Sequence, residues 1–160
     1  MKEILLQNST KTVTVDDSFY ESLNKFKWYL RLGYAARYRS IKEPKGPFTI
    51  WMHRIIANTP FGSDTDHVDG NTLNNCINNL RVCDHSNNTK NAQRHKDNKS
   101  GYKGVTFDPR IKTTKWIAEI MCDGKRIRKG GFKSAKEAAI KYDELAKKFH
   151  GEFAKLNFPN

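Results

Sequence analysis

The chain has 160 residues and a formal net charge of +12, from 29 Lys and Arg against 17 Asp and Glu. That length suits one ordinary domain or two small ones with modest cores, and the charge favours a polyanionic partner, nucleic acid first. No stretch is apolar for long enough to span a bilayer, and the opening MKEILLQNSTKTVTVDD turns polar before a signal-peptide core could form, so a soluble, cytoplasmic chain is expected.

In chain order, TKTVTV alternates as a strand does, and DDSFYESLNKF follows with Asp caps and Phe19, Leu23 and Phe26 at helical spacing. The aromatic and β-branched runs KWYLRLGYAARYRS and PFTIWMHRIIA flank the turn-forming KEPKGP, which predicts an antiparallel pair and places His53 on a strand. The Asn-rich DHVDGNTLNNCINNLRVCDHSNN, residues 66 to 88, comes next: DHVDGN reads as a strand reaching a Gly turn and NNLRV as the returning strand. Asp84 can then cap a helix bearing Asn88 and Asn91 on nearly one face. Charge, Asn, Ser and Gly replace apolar residues in RHKDNKSG, residues 94 to 101, marking a linker between parts 1–95 and 99–160. Beyond it GYKGVTFDP and TKWIAEIMCDGKRIRKGGF read as three strands, with Asp123-Gly124 at a tight hairpin. The segment SAKEAAIKYDELAKKFHGEF then reads as a helix. Ser134 and Glu137 form its capping box, and Ala138, Tyr142, Leu145 and Phe149 recur along its apolar face. Residues 96 to 160 carry net +8 and residues 1 to 95 net +4.

The three cysteines, Cys76, Cys83 and Cys122, are odd in number and form no CxxC pair, so reduced, mostly buried thiols are expected and no structural zinc. An imidazole titrates near neutrality, which lets His67 serve as a general base toward water. Asp66 beside it, with a later Asn carbonyl, supplies oxygen ligands suited to Mg²⁺, with Mn²⁺ an alternative, rather than to zinc. Asn and Asp also serve turns and caps without any chemistry. His85, His95 and His150 read as solvated.

The succession DH, NNL and NN over residues 66 to 88 resembles the HNH endonucleases, the ββα-metal type of phage and intron homing enzymes. The resemblance implies an α+β fold: a small N-terminal sheet, then a ββα-metal module over about 64–92. It implies that His67 is the general base, that Asp66 and Asn88 ligate one divalent metal, and that Asn79 braces the loop orienting His67. Many relatives have His where Asn88 stands, and Asn87 and Asn91 are near enough to take its place. The preceding WMHRIIA is similar to the same family and makes His53 a secondary candidate for touching phosphate.

Tyr102-Lys103-Gly104-Val105, Trp116 with Ala118-Glu119-Ile120, Gly130 with Phe132, EAAIKYD and AKLNFP resemble the AP2 DNA-binding domain over almost the whole C-terminal part. That implies a three-stranded antiparallel sheet packed on one helix and entering the DNA major groove. Arg110, Lys112, Trp116, Arg126 and Arg128 are the implied contacts; Arg suits guanine edges and Lys phosphate. Met121 stands where plant members usually carry Arg. The combined expectation is a metal-dependent DNA endonuclease with an AP2-like targeting domain, phage-encoded or otherwise mobile, acting on double-stranded DNA as a monomer or homodimer. The alternatives are a catalytically inactive DNA-binding regulator and an RNA-binding protein.

Overall fold

The computed structural model describes residues 1–91, 98–113, 115–122 and 124–159. These residues form an α+β protein of small antiparallel sheets, as the strand and helix patterning predicts, in two compact units, Met1–Asn88 and Thr89–Asn160.

In the first unit β1 (Lys2–Leu5) pairs with β2 (Thr12–Val15), and β2 leads into α1 (Asp17–Leu23). Alternation along β2 buries Val13 and Val15 completely. They join Leu6, Trp28, Met52 and Leu80 in one core. The Trp28 indole N–H donates to the Leu23 carbonyl at the end of α1 (2.8 Å), which satisfies the one polar atom of a fully buried ring. A second sheet follows, in the order β3 (Tyr29–Arg31), β4 (Tyr34–Tyr38), β5 (Thr49–Trp51). Then come the hairpin strands β6 (Asp64–His67) and β7 (Leu80–Cys83) and a short α3 (His85–Lys90).

Two sequence expectations fail here. Phe26 lies past the end of α1 and is exposed, stacked under the Arg37 guanidinium (4.0 Å to the ring centre). The run WMHRIIA does not continue as a strand, because Met52–Ile56 forms α2 and buries Met52 and Ile56, four residues apart, on one face. A short apolar run fits either period, and here the helical one satisfies the core.

In the second unit β8 (Val105–Phe107), β9 (Trp116–Cys122) and β10 (Lys125–Phe132) form a sheet with β9 in the middle. The long α4 (Ala135–His150) lies on one face, where Tyr142, Leu145 and Ala146 meet Ala118 and Ile120. Ser134 accepts from the Glu137 N–H (3.2 Å), and the Glu137 carboxylate reaches back to the N–H of Lys133 (3.1 Å), so the cap is reciprocal. Gly104 has φ +67°, and a Cβ there would come within 2.0 Å of the Tyr142 ring. Only glycine lets strand and helix approach that closely. The C-terminal tail is tied down by the buried Asp143 carboxylate, which accepts from the N–H groups of Asn157 and Phe158 (both 2.8 Å).

The hairpin between β9 and β10 closes at the pair Cys122–Lys125, with Gly124 at φ +73°. Asp123 lies outside the described residues, as do His95 and the rest of residues 94–97, the first half of the expected linker. His150 is buried rather than solvated: the last turn of α4 lies over β9, and its Nε2 meets the Met121 carbonyl (2.8 Å). Cys76 and Cys83 are buried free thiols and Cys122 is half-buried. Among the described residues no helix is long and apolar enough to cross a membrane.

Candidate active site and nucleic-acid interface

His67 ends β6 opposite Leu80 of β7 and is 4% exposed. Its Nε2 lies 2.9 Å from Oδ1 of Asn75, a completely buried amide. Asn75 is itself fixed by its backbone, whose N–H donates to the Thr14 carbonyl on β2 (2.8 Å). With Oδ1 accepting, Nε2 carries the hydrogen and the basic lone pair sits on Nδ1; this tautomer follows from the amide orientation assigned to Asn75. Burial pushes the His67 imidazole down from its ordinary value, opposed by the Asn75 hydrogen bond and by Asp69 and Asp66. Burial thereby favours the neutral ring, the form a base requires.

The Asn75 contact is absent from the sequence reading. Its only signal is the pair Asn74-Asn75, eight residues past His67, which reads as more turn-forming amide. Under the expectation that His67 is the general base of a nuclease, Asn75→Ala should slow cleavage by on the order of tenfold to a hundredfold, because His67 keeps its place in the chain but loses its orienting partner. Asn75→Asp, which retains an acceptor oxygen, should recover part of that loss. Single-turnover cleavage rates measure both.

The loop between His67 and β7 is organised by Asn79. Its Oδ1 accepts from the Asp69 N–H (3.0 Å), and its Nδ2 donates to Asp69 Oδ1 (2.9 Å) and to the Asn74 carbonyl (2.8 Å). Asn79 thus bridges both sides of the turn that follows His67, while His67 itself is touched by Asn75.

His53 sits on α2 and is buried, its ring centre 5.2 Å from that of His67. Tyr34 packs on both imidazoles, at 5.1 Å from His53 and 5.9 Å from His67. Burial, with smaller contributions from His67 and Arg54, pushes His53 down to about 3. Its Nδ1 is buried without a hydrogen-bond partner among the described residues.

The oxygen donors divide into two groups. The buried Asp66 carboxylate is held by its cross-strand neighbour Arg81, with Nε at 2.7 Å and a terminal nitrogen at 2.6 Å. Asn88 on α3 instead donates through Nδ2 to Asp64 Oδ2 (3.1 Å), an atom also met by exposed His85 Nδ1 (3.0 Å). The Asn88 and His85 contacts hold the Asp64 carboxyl below its ordinary range. Asp84 caps α3 by accepting from the Asn87 N–H (2.7 Å), which occupies Asn87 with the cap. Asn91 follows the helix and is buried.

Among the described residues no group of three or more His, Cys, Asp and Glu side chains is arranged to hold a metal ion. Asp66, Asp64 and the Asn88 amide are hard oxygen donors. An incomplete set of this kind fits Mg²⁺, which is commonly held by one or two carboxylates and keeps waters or phosphate oxygens in its remaining positions.

In the second unit β10 pairs Arg128 with Glu119 and Arg126 with Met121, placing all four on the sheet face away from α4. The Glu119 carboxylate lies between the two guanidiniums, 3.4 Å from Arg126 and 3.1 Å from Arg128. Arg110 forms a two-point contact with Asp108 (2.9 and 2.7 Å), and Lys112 is exposed. Trp116 lies on the other face: it is half-buried, packs on the Val105–Ala138–Ala139 cluster and meets Phe107 edge-on at 5.0 Å. The structure thus brings Arg126 and Arg128 together and puts Trp116 on the helix side.

Comparison with known proteins gives three informative relatives. The chain is 30% identical to Protein 3.8 of Escherichia phage T7 over 119 residues, covering 72% of this chain and 92% of the relative. It is 31% identical over 136 residues to an uncharacterized HNH endonuclease of Acanthamoeba polyphaga mimivirus, covering 84% of this chain and 68% of the relative. It is 42% identical over 69 residues to the AP2-like ethylene-responsive transcription factor TOE2 of Arabidopsis thaliana, covering 43% of this chain and 14% of that protein. No family model matches the chain. No solved structure matches it either.

Proposed function

The chain belongs to the HNH endonuclease family, and on that premise we propose that it is a divalent-metal-dependent DNA endonuclease whose second unit tethers it to duplex DNA. The observation that carries the reading is the buried His67 imidazole at the end of a β-hairpin, kept neutral by burial and oriented by the Asn75 amide. Asp66 and Asn88 would hold the metal, with Asp64 next to Asn88. When bound, the metal supplies charge stabilisation at the phosphate and at the departing oxygen.

His67 accepts a proton from water as the water oxygen attacks phosphorus. The bond from phosphorus to the 3′ oxygen breaks, and that oxygen leaves with a proton from solvent, giving 5′-phosphate and 3′-hydroxyl ends. Asn75 holds the imidazole, and Asn79 keeps the turn after His67 closed. One such site per chain makes nicking the natural reaction of a monomer, and paired cuts the reaction of a homodimer.

The second unit, similar to AP2 domains, would supply residence on DNA through Arg126 and Arg128, with Arg110 and Lys112 at the phosphates. Tethering a weak cutter to a binder makes the second contact intramolecular. A phage or mobile-element origin, suggested by the relative in phage T7, would place the enzyme in a host cytoplasm.

The test is nicking of supercoiled plasmid with and without Mg²⁺. Cleavage that requires the metal is expected. DNA binding with no cleavage in any divalent metal would instead identify a DNA-binding regulator. Asn88→Ala should raise the Mg²⁺ concentration at half-maximal rate about tenfold, the effect expected on removing one ligand or its support. A shift at Asp64→Ala with none at Asn88→Ala would transfer the ligand role to Asp64, and a shift at Asn87 or Asn91 would transfer it there.

A further inference from the structure

Charge in the first unit is segregated along the chain. Residues 25–54 carry eight Lys and Arg against one acid, Glu43, whereas the rest of residues 1–88 carries three Lys and Arg against eight acids. The basic segment builds the β3–β4–β5 sheet. Its register pairs Tyr29 with Ala36, Arg31 with Tyr34, Ala36 with Trp51 and Tyr38 with Thr49. Those partners share one face, and Leu30, Ala35 and Ile50 on the other pack into the core.

The outer face is aromatic and carries one basic side chain, Arg31; it is exposed at Tyr29, Arg31 and Tyr38, with Ala36 buried between them. Tyr38 is 55% and Tyr29 38% exposed. The exposed Arg31 donates to Thr49 Oγ1 (2.9 Å), and its guanidinium lies 5.7 Å from the centre of the Tyr38 ring. Together with Asn8 these side chains line an open groove of about 380 Å³. At the other end of the same face Tyr34 meets Trp51 edge-on (5.9 Å) and packs against His53 and His67. Tyr34, the cross-strand partner of Arg31, therefore links the exposed end of this face to the imidazole proposed to act on the phosphate.

We propose that this sheet face carries the DNA strand leading to the scissile phosphate, with phosphates toward Arg31 and nucleotide rings against Tyr29 and Tyr38. The proposal rests on the nuclease reading of His67 and adds a DNA contact surface on the nuclease unit itself. The basic excess of residues 25–54 selects a polyanion, and the link through Tyr34 to His67 selects the substrate. Aromatic and Arg contacts of this type tolerate any base, so the surface provides affinity near the cut without reading sequence.

The test uses the full chain carrying Arg31→Gln or Tyr38→Leu. Gln removes the charge and keeps a donor toward Thr49, and Leu keeps an apolar side chain. Lys2→Gln, on the β1–β2 sheet, controls for bulk charge. Affinity for a labelled random-sequence duplex is measured in EDTA at several salt concentrations, and plasmid nicking is measured in Mg²⁺. Each face variant should weaken duplex binding about tenfold and raise the KM for plasmid, and Arg31→Gln should lower the slope of log affinity against log salt by about one. Lys2→Gln should stay within about twofold of wild type, as one surface charge away from the contact contributes little.

Face variants that bind like wild type, or a Lys2→Gln loss equal to that of Arg31→Gln, would overturn the proposal. So would tighter binding of an RNA duplex that the same variants abolish. A wild-type chain that binds DNA but never nicks it removes the nuclease reading, while the affinity comparison still decides whether DNA uses this face. If Arg31→Gln fails to fold, Tyr29→Leu takes its place with the same expected loss.

Discussion

His67→Ala is expected to lower the rate of phosphodiester cleavage by about 10²- to 10⁴-fold, the range over which a positioned general base contributes, with duplex affinity unchanged within about twofold. The two effects are expected to separate because the imidazole is buried, burial pushes its pKa down and so favours the uncharged ring, and Asn75 holds its Nε2. Truncation also leaves a space beside His53 and Tyr34, so a loss of folding has to be distinguished from a loss of chemistry. His67→Gln serves that purpose, since the new amide can donate toward Asn75 and fill much of the ring's volume while offering no base of comparable strength. Thermal unfolding should place His67→Gln near wild type, and plasmid nicking should place it with the alanine variant. Wild-type cutting by either variant would transfer the base role elsewhere, and His53, the neighbouring buried imidazole, would be tested first.

How much of this is legible in the sequence varies with the range of the contact. The hairpin strands at Asp66-His67 and Asn79-Leu80, the Asp84 cap and the Ser134–Glu137 capping box are readable because each depends on neighbours a few residues apart. The partners of the site residues are not. Arg81 reaches Asp66 only through the cross-strand register, and Asp64 meets Asn88 only because β6 pairs with β7, the strand that runs into α3. Asn75 is hidden for a different reason: its amide looks like those of the turn residues around it, and only its complete burial under β2 distinguishes it. The helix at Met52–Ile56 escapes a sequence reading because five residues are too few to show a period. Trp116 cannot be assigned to a face until its pairing with Phe107 and Phe132 is known.

A fragment comprising residues 89–160 should fold alone, bind duplex DNA and cut nothing. Folding is expected because the unit owns its core, with Ala118, Ile120, Tyr142, Leu145 and Ala146 buried between sheet and α4. Its helix is capped at Ser134, and its tail is fastened to Asp143. The fragment has to begin before the expected linker: Lys103 Nζ donates to the Lys90 carbonyl (2.7 Å), and burial holds that amine down at about 8. A piece beginning at residue 99 would leave the half-buried amine without that acceptor, so it should unfold at a lower temperature than the longer one. Binding should weaken steeply with added salt, as Lys and Arg displace condensed counterions. Arg126→Ala and Arg128→Ala then distinguish two kinds of contact when measured on a selected and a random duplex. Loss of a base contact lowers the ratio of the two affinities, by a factor corresponding to roughly 1–3 kcal/mol, whereas loss of a phosphate contact lowers both alike. Glu119 lies between the two guanidiniums, so each truncation leaves the carboxylate on the other arginine, and the double variant should lose less than the two single losses combined. If the fragment folds yet binds no DNA at low salt, while residues 1–88 bind as tightly as the whole chain, the tethering role moves to the first unit and the β3–β5 face becomes the principal DNA contact.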